Sequence, residues 1–160
     1  MRPQQIIWAG VLACLWACTA ALCATTTRVS VDSVGAQANG RSQRASVSAD
    51  GRFVAFASGA SNLVAGDTNS KTDIFVHDRQ TGATTRVSVD SAGQQGNGDS
   101  SEPSISADGR FVAFDSTATN LVAADTNGAG DVFVHDRQTG TTVRVSVNNA
   151  GNQGDGWSAN

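Results

Sequence analysis

The nine-residue string SADGRFVAF stands at Ser48–Phe56 and again, letter for letter, at Ser106–Phe114. It belongs to a wider 58-residue spacing kept by Arg28, Arg86 and Arg144, by Asp50 and Asp108, by Asp67 and Asp125, and by His77 and His135. Residues 26–83 and 84–141 agree at 41 of 58 positions, and all six phenylalanines obey the register. A third copy opens at residue 142 with TVRVSVNNAGNQGDGWSAN. So long and faithful a repeat restricts the chain to architectures in which one supersecondary unit packs on the next like unit.

Inside the repeat, short apolar runs alternate with turn residues. TRVSVD alternates apolar and polar residues, the pattern of a strand with one wet face. RFVAFAS and DIFVHD are apolar on both faces, rich in β-branched and aromatic residues and too short for helices, so they belong inside a sheet covered on both sides. Asp50-Gly51 and the RQTGA stretch around Gly82 supply the positive φ that tight hairpins need. No segment shows helical spacing over three turns, and the fold class expected is all-β. Four short antiparallel strands at this period are the mark of a propeller blade.

The line SADGRFVAFAS, DIFVHDRQTG, TRVSV resembles the repeat of TolB-like β-propellers, whose blades are similar to WD repeats. Ala49 and Ala107 stand where that family has proline, and the resemblance spans nearly all of residues 26–147. It implies β-propeller blades of four antiparallel strands and a non-enzymatic scaffold that binds a protein or glycan partner at the propeller face. In the family's strand order, residues 28–32 are an outer strand with no blade of its own, 45–90 a full blade and 103–148 a second. Propellers have about 4 to 8 blades, so the ring is expected to be incomplete. The expectation is the front of a longer product, with closure by several chains, a homo-oligomer, as the alternative.

Ahead of the repeats, Arg2 and the apolar run IIWAGVLACLWACTAALCA read as a signal peptide over residues 1–24. The repeats, residues 25–160, are therefore expected in the periplasm or outside the cell, with no membrane insertion after leader removal. Lipoprotein anchoring at Cys18, within LWAC, is a minor alternative. Cys14, Cys18 and Cys23 all lie in the leader, so the mature chain has no thiol for a disulfide or a metal. Removing Arg2 from the eleven basic residues leaves ten against fourteen acidic ones, a net charge of −4 spread without blocks. That excludes the basic footprint of a nucleic-acid binder.

The loops hold the candidate chemistry. DTNSKTD and DTNGAGD place Asp67, Asn69 and Asp73, and again Asp125, Asn127 and Asp131, at relative positions 1, 3 and 7 of a calcium-like loop. Position 5 is Lys71 or Ala129, and Asp78 and Asp136, at position 12, lie about 16 Å off along a strand. Turn capping by Asp and Asn side chains is the plainer reading, with calcium the only cofactor considered. His77 and His135 could flank a metal, but a hydrogen-bonded structural role beside Asp78 and Arg79 is simpler. Arg79 and Arg137 are expected to pair with nearby Asp residues across the hairpin. Arg41 and Arg44 become Asp99 and Glu102 in the second copy, a reversal that would let neighbouring blades face one another with opposite charge. No Gly-x-Ser-x-Gly or His-Glu-x-x-His motif occurs, and the only glutamate is Glu102, so no catalytic residues are assigned. Besides the scaffold, two readings stand: an accessory propeller of a larger secreted hydrolase or peptidase, and a calcium-stabilised surface repeat.

Overall fold

A computed structural model describes residues 25–154 and 156. The leader expected over residues 1–24 lies outside the described residues. Eight strands build two four-stranded antiparallel sheets, and no helix occurs among the described residues. Blade 1 holds β1 (Ser42–Val47), β2 (Phe53–Ser58), β3 (Asp73–Asp78) and β4 (Thr84–Arg86). Blade 2 holds β5 (Ser100–Ile105), β6 (Phe111–Ser116), β7 (Asp131–Asp136) and β8 (Thr141–Arg144). Each is a simple meander whose strands pair in sequence order, with Phe56 opposite Phe75 and Phe114 opposite Phe133. The fold class is all-β.

Local chemistry explains the turns. Between β1 and β2, Asp50 Oδ1 accepts from Ser48 Oγ at 2.6 Å and from Arg52 N at 3.0 Å, while Gly51 takes φ +71°. The two innermost strands, β1 and β5, each carry a bulge whose residues Arg44 and Glu102 have φ +55° and +50°. The bulge turns both side chains out of the regular pleat.

The blades pack face to face. Ala55, Ile74, Val76 and Val87 of blade 1 share one buried cluster with Phe114 and Phe133 of blade 2. Small side chains on one sheet leave room for rings from the other, and each fully buried aliphatic side chain contributes about 1.5–3 kcal/mol. The second phenylalanine pair, Phe56 and Phe75, packs with Ala60 and Leu63 and with Ala38 of the preceding crossover. As expected, β2 and β3 are buried on both faces; β6 and β7 alternate buried with partly exposed residues. The difference is the neighbour: Val87 is 1% exposed under blade 2, whereas its repeat partner Val145 is 46% exposed.

One strand expectation is corrected. TRVSV does not run on as a half-wet strand. The ladder of β4 ends at Arg86, Val87 N still donates to Ile74 O, and Ser88 turns its hydroxyl inward to accept from Ile74 N at 3.1 Å. Its copy at residues 28–32 retains only an isolated bridge between Val31 and Gln37.

Candidate functional site

The calcium-like loops connect β2 to β3 and β6 to β7. Asp73, fully buried, accepts from Ser88 Oγ at 2.6 Å, and from Asn69 Nδ2 and Arg86 Nη1, each at 3.1 Å. The same Nη1 lies 3.3 Å from Asp67 Oδ1 and 2.9 Å from Gln95 Oε1. Gln95 Nε2 reaches back to Thr68 Oγ1 at 2.7 Å. Asn69 Oδ1 caps its own turn by accepting from Lys71 N at 2.9 Å, and its Nδ2 donates to Gly96 O at 2.9 Å. The loop, β4 and the crossover to the next blade thus meet on one guanidinium.

Blade 2 repeats this arrangement. Asp131 accepts from Ser146 Oγ at 2.6 Å and from Arg144 Nη1 at 3.4 Å. Arg144 Nη1 lies 3.3 Å from Asp125 Oδ1 and 2.7 Å from Gln153 Oε1, and Asn127 Oδ1 accepts from Ala129 N at 3.0 Å. Burial raises the pKa values of Asp67 and Asp125, the charges of Asp73 and Asp131 add to that, and the arginines oppose it. Calcium asks for about six to eight oxygens at 2.3–2.6 Å. Here Asp67, Asn69 and Asp73 converge, but around a fixed internal cation that an ion would have to displace. Among the described residues no group of three or more His, Cys, Asp or Glu is placed to hold a metal.

Each histidine links two segments. His77 Nδ1 lies 2.9 Å from Thr84 Oγ1, whose single proton goes to Val31 O at 2.6 Å. The imidazole must therefore donate from Nδ1. His135, Thr142 and Val89 O repeat the relay. Burial lowers both histidine pKa values and favours the neutral ring.

The arginine pairing is corrected. Arg52, rather than Arg79, forms the two-pronged bond to Asp78, at 2.9 and 2.7 Å, and Arg110 does the same to Asp136. These bonds hold both carboxyls well below the usual range. Sequence spacing favoured the adjacent arginine, but antiparallel register sets Phe53 opposite Asp78 and so brings Arg52 to the carboxylate. Arg79 and Arg137 instead donate to Gly51 O and Gly109 O.

At the seam, Arg44 and Glu102 form an ion pair, as the charge reversal suggested. Asp99 accepts from Thr72 N at 2.8 Å, Ala49 N donates to Ala107 O at 3.0 Å, and Ile105 N donates to Ser46 Oγ at 3.2 Å. Phe53 lies against Gly109 so closely that a Cβ there would fall 2.1 Å from Phe53 Cδ2.

Two open grooves occupy equivalent places in the repeats. One, about 550 Å³, lies between residues 32–34 and the 61–68 connection; the other, about 430 Å³, lies between residues 90–92 and 120–123. Both mix polar side chains with the edges of Leu63 and Val64 or their copies.

No protein-family model and no curated protein matches this chain. Among solved structures it is similar to a TolB-type protein of Agrobacterium tumefaciens, at 19% identity and a TM-score of 0.47, over 68% of this chain and 31% of that one. It is also similar to TolB from Acinetobacter baumannii, at 21% identity and a TM-score of 0.44, over 72% of this chain and 22% of that one. A third similarity is to the tricorn protease, at 18% identity and a TM-score of 0.44, over 68% of this chain and 9% of that one. The chain thus spans less than a third of the length of each of these proteins.

Proposed function

We propose that this chain is a non-catalytic propeller scaffold of the periplasm or cell exterior, which binds a protein or glycan through its repeated grooves. One observation carries the reading: the Asp, His and Arg side chains grouped in the loops and hairpins have the same structural partners in both repeats. The Asp67–Arg86–Asp73 cluster, the His77–Thr84 relay and the Arg52–Asp78 bond each recur 58 residues on. Groups committed twice to holding backbone are poor candidates for moving protons on a substrate. The grooves, in contrast, are shallow, mixed in polarity and present on consecutive blades, which suits an extended ligand that contacts both.

Ala65 and Ala123 are exposed on the groove walls, so Ala65→Trp and Ala123→Trp fill the grooves without touching the core. Binding to a defined polysaccharide or peptide on an array that weakens in each variant supports the reading. Turnover of chromogenic ester, peptide or glycoside substrates by the purified chain would refute it.

A further inference from the structure

Copies of the parts that join blade 1 to blade 2 lie on the two outer sides of the described residues. At the seam, Phe53 sits over Gly109 between two guanidiniums, that of the preceding residue Arg52 and that of Arg137 from blade 2, at 4.6 and 4.3 Å from the ring centre. Arg137 is oriented by its bond to Gly109 O. On the outer side of blade 1, Arg79 is oriented in the same way on Gly51 O at 2.7 Å, and Gly51 has the same left-handed backbone. Among the described residues no ring covers that socket: a Cβ at Gly51 would find only Arg79 Nη1 within 4 Å. On the outer side of blade 2, Phe111 has Arg110 at 4.7 Å from its ring and is 40% exposed. Among the described residues this knob has neither the second guanidinium nor the glycine floor that Phe53 has.

The charges match as well. The knob side carries Asp115, which replaces the Ala57 that faces blade 2 in the first repeat, and the socket side carries Arg41, where the second repeat has Asp99. Arg44 already selects Glu102 across the internal seam. Asp99, the counterpart of Arg41, bonds there to Thr72 N, one residue before Asp73, which is in register with Ser58 beside Ala57. An incoming Arg41 would therefore arrive at the edge that carries Asp115.

We propose that the chain associates head to tail with further copies of itself, Phe111 of one protomer seating over Gly51 and against Arg79 of the next, with Asp115 facing Arg41. This goes beyond the scaffold reading and does not depend on it. Such a contact closes into a ring or continues as a filament; closure at about 4 to 8 blades corresponds to two to four copies. Residues 26–38 and 142–154 are the same part of the repeat, so only one of them can take the outer position at each junction. The displaced segment should become sensitive to protease on assembly.

Sedimentation velocity of the purified chain over a concentration series tests this, with far-UV circular dichroism as the folding control. The expected result is a mass that rises with concentration towards two to four copies and returns to one in Phe111→Asp. Asp115→Arg should weaken association about tenfold, and adding Arg41→Asp to that variant should restore it. The rescue identifies a contact between protomers because the two residues lie on opposite outer sides of one chain. A chain that stays monomeric at every concentration overturns the proposal and leaves the face to a blade of other sequence. Oligomers that survive Phe111→Asp, or failure of the double variant to recover, overturn it equally.

Discussion

Replacing Arg86 with alanine asks whether the guanidinium does the work that a metal ion would do in a calcium loop. The Arg86 side chain is 11% exposed, Asp67 4% and Asp73 not at all. Removing one partner of a buried ion pair costs about 3–5 kcal/mol because the remaining charge stays uncompensated. Ser88 Oγ and Asn69 Nδ2 still serve Asp73, which places the expected loss near 3 kcal/mol, still large against a total stability of about 5–15 kcal/mol. In a thermal melt this is a fall of about 10 °C. Asp67 already has a raised pKa from burial and from Asp73, with Arg86 the opposing charge. Without that charge the folded-state value rises further, so the deficit is complete at neutral pH and shrinks as pH falls through the raised value towards the ordinary 3.8. Calcium at millimolar concentration should raise the melting temperature of Arg86→Ala and leave the parent chain unchanged, since only in the variant is the Asp67–Asp73 cluster without its guanidinium. A variant that melts within about 1 kcal/mol of the parent at pH 7 would refute the reasoning, because the cluster would then behave as a screened surface pair.

Gly109→Ala should destabilise by more than about 2 kcal/mol in urea unfolding, since its Cβ meets the Phe53 ring; Gly140→Ala, at similar φ but in open space, should lose only the about 1–2 kcal/mol of left-handed strain. Between pH 7 and 5, stability should fall: His77 and His135 have folded pKa values below the ordinary 6.5, so protonation favours the unfolded chain, and His77→Gln with His135→Gln should flatten the profile. Glu102→Arg should cost about 0.2–1 kcal/mol, the range for a pair exposed by 48% and 37%, and adding Arg44→Glu should recover it in a double-mutant cycle.

The strands and hairpins were legible because their causes are local. Asp50-Gly51 needs only its own side chain and one positive φ, and FVAF and IFV carry their burial in their composition. The Arg44–Glu102 pair was legible for a related reason: a 58-residue period places equal positions side by side, so a change of sign there reads as a contact. Arg52 was missed as the partner of Asp78 because 26 residues separate them and only antiparallel register joins them. The loops at Asp67–Asp73 and Asp125–Asp131 looked like cation sites and do surround a cation, but its identity was hidden, since Arg86 lies 13 residues beyond Asp73 on another strand.

The all-β class, the four-stranded unit and its register of repetition follow from residue order alone, because alternation, turn chemistry and period are properties of neighbouring residues. Which charges meet, the burial of Val87 against the exposure of Val145, and the socket that Phe53 has and Phe111 lacks among the described residues come from the packing of one blade on the other. The same residues fare differently in the two repeats because burial depends on the blade packed against them. Forty-one shared positions of 58 cannot encode that neighbour.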